Sequence, residues 1–227
     1  MNLPCFILSR KNSKGLKNKN TTNFLGKPLI QHTIDFAKNT KSVTDIIIST
    51  DDPKVVKIAK KNGCFVIYPR PKSLSNDSAT SVSALRHAAF YMLKNDYNFD
   101  IFCYLQITEP LRPINILESC IQNLKKSNKI NSSFAGYVMK KNFWVKNYPN
   151  YNMISSTSES RLPRQKRKPI LREDCGVSLA SRKKVLIKYK KILMKPIKIV
   201  PYEGYTGLLD IHKKKDVSLA IAIKKLI

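Results

Sequence analysis

The first half of this chain is punctuated by four short apolar runs, each separated from the next by a stretch with helical spacing. The runs are Phe6-Ile7-Leu8, Ile46-Ile47-Ile48, Cys64-Phe65-Val66-Ile67 and Ile101-Phe102-Cys103-Tyr104-Leu105. The second and fourth lack any polar alternation, the signature of a strand covered on both faces. Between the runs, apolar residues at Leu29, Ile30, Ile34, Phe36 and Ala37 predict a helix over about 28–38. Asp52-Pro53 is an N-cap followed by a first-turn proline, opening a helix that Gly63 stops near Asn62. A long helix is expected over about 81–94, and another from Pro113 to about Lys126. Strand and helix in this alternation specify an α/β fold, a Rossmann-like and mainly parallel sheet with helices on both faces. The spatial order of the strands is not legible from it.

The rhythm breaks after residue 136. Residues 137–173 are aromatic, polar and basic, with Trp144, Tyr148, Pro149 and Tyr151 followed by the run Arg161 to Lys168. The segment is too apolar in its first half for a free linker, so an inserted arm that packs on something is expected there. The α/β domain is then 1–136 together with 174–227. Strands are expected over 175–180, 197–200 and 208–211, and a last helix over about 214–225, with Val217, Ala220, Ile221 and Ile223 on its apolar side.

The first strand empties into Ser9-Arg10-Lys11-Asn12-Ser13-Lys14-Gly15, with Lys19 and Asn20 close behind. Ser13 and the backbone around Gly15 can donate N–H bonds, and Arg10, Lys14 and Lys19 can neutralise charge, which makes the loop a candidate polyphosphate cradle. It sits at the carboxyl end of a strand, where open α/β sheets bind their ligands. Plain turn-forming and solvated-cation roles are the alternatives for the same residues.

Charge is the unusual part of the composition: 42 Lys+Arg against 15 Asp+Glu, a net +27. A nucleic-acid footprint concentrates cations on one element or stripe. Here lysines are scattered from Lys11 to Lys225, which favours compositional drift over a nucleic-acid partner, with steering of an anionic substrate as a by-product. The five widely spaced cysteines form no C-x-x-C pair and read as free thiols of a reducing compartment. Without a signal-like or membrane-spanning apolar run, the expected location is the cytoplasm, with no membrane partner.

The ordered set Arg10-Lys11-Asn12-Ser13-Lys14-Gly15 with Lys19-Asn20, Gly26-Lys27-Pro28-Leu29-Ile30, Ile48 to Asp52, Arg70-Pro71 with Leu74 and Asp77, Leu105 to Arg112, Pro163-Arg164-Gln165 and Asp210-Ile211-His212 with Asp216 resembles the acylneuraminate cytidylyltransferases, the CMP-sialic acid synthetases. The resemblance implies a nucleotidyltransferase-type α/β fold and transfer of CMP from CTP to the anomeric hydroxyl of an acidic nine-carbon sugar, releasing pyrophosphate. It assigns Arg10, Lys14 and Asp210 to catalysis. It assigns Arg10, Ser13, Lys14, Lys19, Asn20 and Arg70 to CTP, and Gln106 and Arg164 to the sugar. It places Mg²⁺ at Asp210 and His212, and makes the arm a dimerisation segment of a homodimer. His212 stands where the family carries a second aspartate; an imidazole there would favour Mn²⁺ or another softer ion. Thr108-Glu109 departs from the usual Thr-Ser, leaving a Kdo-type cytidylyltransferase as an alternative reading, and the basic surplus with its run Arg161 to Lys168 leaves a basic nucleic-acid-binding α/β module as another. Asp51, Asp52 and Asp77 read as helix caps, and Thr80 and Ser81 as residues within reach of a nucleotide.

Overall fold

A computed structural model describes residues 2–13, 15–154 and 162–227 of the chain. The apolar runs form four parallel strands, β1 (Pro4–Ser9), β2 (Asp45–Thr50), β3 (Phe65–Ile67) and β4 (Ile101–Leu105), lying side by side in the order β3-β2-β1-β4. Successive residues of β1 face opposite sides of the sheet: Cys5 and Ile7 enter one core, Phe6 the other. In β2, Ile46 and Ile48 share the first face with β1, and Ile47 the second. Continuous apolar sequence is therefore required, because both faces are covered.

Helices α1 (Leu29–Lys38) and α2 (Pro53–Lys61) connect strands that step one way across the sheet, and their buried residues Ile30, Ile34, Val55 and Ala59 all lie in the first core. Helix α3 (Ser81–Lys94) connects β3 back across to β4 and so covers the opposite face, where Leu85, Ala88, Ala89 and Met92 meet Phe6 and Phe102. A right-handed crossover demands that change of side when the direction of travel reverses. The reversal leaves a crevice at the carboxyl ends of β1 and β4. Side-chain caps close two helix starts, the first at Asp52 as the sequence predicts and the second at Thr80 in place of the expected Asp77. Asp52 Oδ1 accepts from the amide of Lys54 at 2.9 Å, and Thr80 Oγ1 accepts from the amide of Ser83 at 3.1 Å.

Beyond β4 the sheet becomes mixed. After α4 (Ile116–Lys126) comes β5 (Ser132–Met139), an unexpected strand. An exposed hairpin of β6 (Trp144–Asn147) and β7 (Asn150–Met153) follows, and then β8 (Ile170–Glu173) and β9 (Leu179–Arg182). β9 lies antiparallel between β4 and β5, β8 pairs antiparallel with the far half of β5, and β10 (Ile197–Tyr202) pairs parallel with β5. The short α5 (Lys183–Ile187) precedes β10, and α6 (Lys214–Lys224) ends the chain against the first core through Ala220 and Ile223.

Four expectations need correction. Residues 208–211 form no strand: a 3₁₀ turn, Tyr205–Leu208, runs into an extended segment that Leu209 and Ile211 anchor in the core, with one ladder-like bond from the amide of Ile211 to the carbonyl of Thr108 at 3.0 Å. The strand expected over 175–180 begins only at Leu179, because residues 174–177 turn, with the amide of Val177 on the carbonyl of Asp174 at 3.0 Å. Helix α4 starts at Ile116 rather than Pro113, since Asn115 takes a left-handed φ of 61°. The cap of α3 is Thr80 rather than Asp77, which pairs with Arg10.

Candidate active site

A cleft of about 360 Å³ opens at the β1/β4 crevice, within the size of sites that hold small ligands. The β1 loop supplies Arg10, Ser13, Gly15, Lys19 and Asn20 to its wall. The loop before α3 supplies Arg70, α3 itself Thr80 and Ser81, the end of β4 Gln106, and the segment before α6 His212. Seven sequence-assigned residues thus converge. Lys14 lies outside the described residues, as does the side chain of Arg164, whose backbone sits in the turn Arg164–Lys166.

The cradle is held in shape by its own polar groups. Buried Asn20 donates its amide hydrogens to Ser9 Oγ (2.8 Å) and the carbonyl of Arg10 (2.9 Å), tying the returning loop to the end of β1. Arg10 Nη1 reaches Asp77 Oδ1 at 2.6 Å, and the amide of Lys11 donates to Asp51 Oδ1 at 2.7 Å. Lys19 is half-buried. Burial pushes its ammonium below the ordinary lysine range and the nearby Arg10 adds to that, while Asp210 and Asp216 pull it back up. Arg70 is buried, with Nε donating to Ser75 Oγ at 3.1 Å. Burial lowers its pKa too, with Asp51 opposing. The N-terminus of the 14-residue α3 adds the positive end of a helix dipole to the same wall.

Opposite stands the segment 209–213. Leu209 and Ile211 point into the core and Asp210 and His212 out of it, so extended backbone alone places the two polar side chains on one side. His212 Nε2 lies 2.9 Å from Asp210 Oδ1. Asp216 Oδ2 accepts from the amides of His212 (2.8 Å) and Lys213 (2.7 Å), which holds its own carboxyl below the usual range and fixes the segment to the first turn of α6. Gly15 ties this segment to the cradle: a Cβ built there would meet the carbonyl oxygen of His212 at 2.3 Å. The β1 loop and the 209–213 segment touch backbone to backbone.

At the third side, buried Tyr104 lines the cleft together with Ser81 and Gln106. Glu109, in the turn after β4, is half-buried. Burial, followed by the charge of Asp210, raises its pKa to about 8, with Arg112 and Arg172 opposing. A carboxyl raised in this way keeps its proton in the folded state while the unfolded chain has lost it. Stability is then fullest below the ordinary glutamate pKa and falls as pH rises through about 8. In chelator-containing buffer, the Tm of the parent should drop between pH 5 and 9 more steeply than that of Glu109→Gln; parallel curves would contradict the assignment.

For a metal, the described residues offer no group of three or more His, Cys, Asp or Glu. The donor set is one exposed carboxylate, Asp210, with Glu109 in its electrostatic field. That fits Mg²⁺, which takes one or two carboxylates and completes its shell with phosphate oxygens and water. Residues not singled out from the sequence include Tyr104, Asp77 as a partner of Arg10, and Arg112. Tyr104 read only as part of an apolar strand, Arg112 only as one letter of the Leu105–Arg112 motif with no role assigned, and the charge pair of Asp77 lies 67 positions away in sequence.

Comparison with known proteins gives a consistent result. The family model described as Cytidylyltransferase matches residues 5–214. A pseudaminic acid cytidylyltransferase of Campylobacter jejuni subsp. jejuni serotype O:23/36 (strain 81-176) is 37% identical over 126 residues, 54% of this chain and 54% of that protein. An N-acylneuraminate cytidylyltransferase of Escherichia coli O18:K1:H7 (strain RS218 / NMEC) is 32% identical over 135 residues, 54% of this chain and 31% of that protein. The chain thus spans about half or less of the length of these curated relatives. In fold it resembles a CMP:2-keto-3-deoxy-manno-octonic acid synthetase solved with CTP, at a TM-score of 0.71 and 18% identity, covering 100% of this chain and 99% of that one.

Proposed function

The chain belongs to the cytidylyltransferase family, and from that footing we propose that it transfers CMP from CTP to the anomeric hydroxyl of an acidic nine-carbon sugar. The hydroxyl oxygen bonds to the α-phosphorus, the α–β anhydride bond breaks, pyrophosphate leaves and the hydroxyl proton is lost. One observation carries the reading: the β1 loop, Arg70, the α3 N-terminus and Gln106 wall a single cleft at the point where strand order reverses.

Such a transfer needs negative charge met as it develops on the leaving phosphates, and a nucleophile held in line. In this reading Arg10 and Lys19, with Lys14 of the same loop, take the β- and γ-phosphates, and Ser13 and the loop amides donate to them. Arg10 exchanges Asp77 for phosphate when the nucleotide enters. Buried Arg70 and Asn20 shape the nucleotide side, and Gln106 hydrogen-bonds the sugar. Asp210 supplies the oxygen ligand for Mg²⁺, and His212, within bonding distance of that carboxylate, orients it. When bound, Mg²⁺ supplies charge neutralisation across the phosphate oxygens.

The names of the relatives support a nonulosonic acid as acceptor. Trp144, Tyr148 and Tyr151, all exposed on the β6–β7 hairpin, support an arm that packs on a second copy of the chain and brings Arg164 to its sugar site. Among the described residues no helix is long and apolar enough to cross a membrane. The test is pyrophosphate release from CTP and Mg²⁺ or Mn²⁺ with a panel of sialic, legionaminic and pseudaminic acids and Kdo. Release with a nine-carbon acid is the expected result. Folded protein silent across those acids with both metals would overturn the proposal.

A further inference from the structure

The side chain of Arg112 is buried in the first core with no carboxylate in hydrogen-bond contact among its recorded partners. Its Nε donates to the carbonyl of Val177 at 2.9 Å, Nη1 to Thr33 Oγ1 at 3.3 Å, and Nη2 to the carbonyls of Gly176, at 3.3 Å, and Gln106. The ring of Phe36 lies 5.3 Å from its central carbon. Burial brings its pKa down to about 10, against the pull of Glu109. A charge placed there is expensive, and an apolar residue of the same length would fill the space at less cost. What only a guanidinium provides is a flat fork of five donors, able to hold several carbonyls at fixed angles.

Those carbonyls belong to two turns, the one after β4 that lines the cleft through Gln106 and the 174–177 turn bonded behind it. Gln106 closes β4, and residues 174–177 lead into β9, about 70 positions later. The amide of Gln106 donates to the carbonyl of Gly176 at 3.0 Å, so the two turns are also bonded to each other. Gly176 leaves room for the amide side chain: a Cβ there would stand 3.0 Å from both Cδ and Oε1 of Gln106. The backbone of Gln106 is therefore held by Arg112 and Gly176, and its side chain rests on Gly176 and accepts from Thr108 Oγ1 at 3.5 Å.

We propose that Arg112 is a positioning residue for the acidic sugar, acting through the carbonyls of Gln106 and Gly176 to fix how the Gln106 amide faces the cleft. The proposal rests on the reading of Gln106 as a sugar contact. Lysine at this position keeps the charge but presents a single ammonium, and cannot hold both turns.

The experiment is steady-state kinetics of the full chain with CTP and whichever panel sugar it activates, alongside CTP calorimetry. Arg112→Lys should raise the KM for the sugar about tenfold or more and leave the KM and Kd for CTP within about twofold. Gly176→Ala, which leaves Arg112 in place and displaces Gln106 directly, should give the same split; it carries the test if Arg112→Lys does not fold. In a Gln106→Ala background neither change should raise the sugar KM further, since residues acting through one group are not additive. Equal losses for CTP and sugar, an unchanged sugar KM, or additivity with Gln106→Ala would each overturn the positioning role while leaving the cytidylyltransferase reading intact. A parent with no turnover on any nine-carbon acid would overturn both.

Discussion

Replacing Asp210 with alanine is expected to lower turnover roughly a thousandfold, the equivalent of about 4 kcal/mol of transition-state stabilisation. The carboxylate stands on an extended segment whose anchors are Leu209 and Ile211, both buried, and it pairs with the exposed His212. In the proposed mechanism the substitution removes the Mg²⁺ ligand, and it should leave the fold nearly unchanged, because an exposed ion pair contributes little to stability. A drop in kcat with unchanged Tm separates lost chemistry from lost structure. His212→Ala should cost only about tenfold, the usual scale for a group that orients a metal ligand. If Asp210→Ala matched the parent in pyrophosphate release, the metal assignment would be wrong.

The second large effect is expected at Gly15. Its α-hydrogen is what lets the phosphate loop rest on the carbonyl of His212; a methyl group would stand 2.3 Å from that oxygen. The obstacle is backbone, and Asp216 holds it by two hydrogen bonds at 2.8 and 2.7 Å, so neither wall yields easily. Gly15→Ala should cost about 1–3 kcal/mol of stability as overpacking. It should also raise the KM for CTP tenfold or more, by prising the cradle away from Asp210. Stability and CTP affinity should fall together here, unlike in Asp210→Ala. A Gly15→Ala protein with parental CTP affinity would show that the two segments work independently.

The parallel half of the fold was legible because burial on both faces forces continuous apolar sequence, as in Ile46-Ile47-Ile48 and Ile101 to Leu105. Where burial is polar, the same reasoning fails. Ser132 and Ser133 open strand β5 fully buried with no apolar run to announce them; they are satisfied by Ser181 Oγ at 2.9 Å and Asn123 Nδ2 at 3.1 Å, contacts that only folding brings about. Leu208 to Ile211 fails the opposite way. The alternation of buried Leu209 and Ile211 with exposed Asp210 and His212 is real, but no neighbouring strand pairs with it beyond the bond to Thr108.

At the site, residues lying together in sequence, such as Arg10, Ser13, Lys19 and Asn20, announced themselves as a loop after a strand. Asp77 did not, because its partner Arg10 is brought close only by folding. Arg112 was visible as a letter in a motif, whereas its work is done on carbonyls, which every residue has.

The central claim is that a nucleoside triphosphate lies in the β1/β4 cleft between the Arg10 loop and the Asp210 segment. Calorimetric titration of CTP with Mg²⁺ into the folded parent and the Gly15→Ala and Arg70→Ala variants tests it most directly. One CTP per chain in the parent, with affinity weakened tenfold or more in both variants, is the predicted result. No binding by the parent, or binding undisturbed by either substitution, would contradict it.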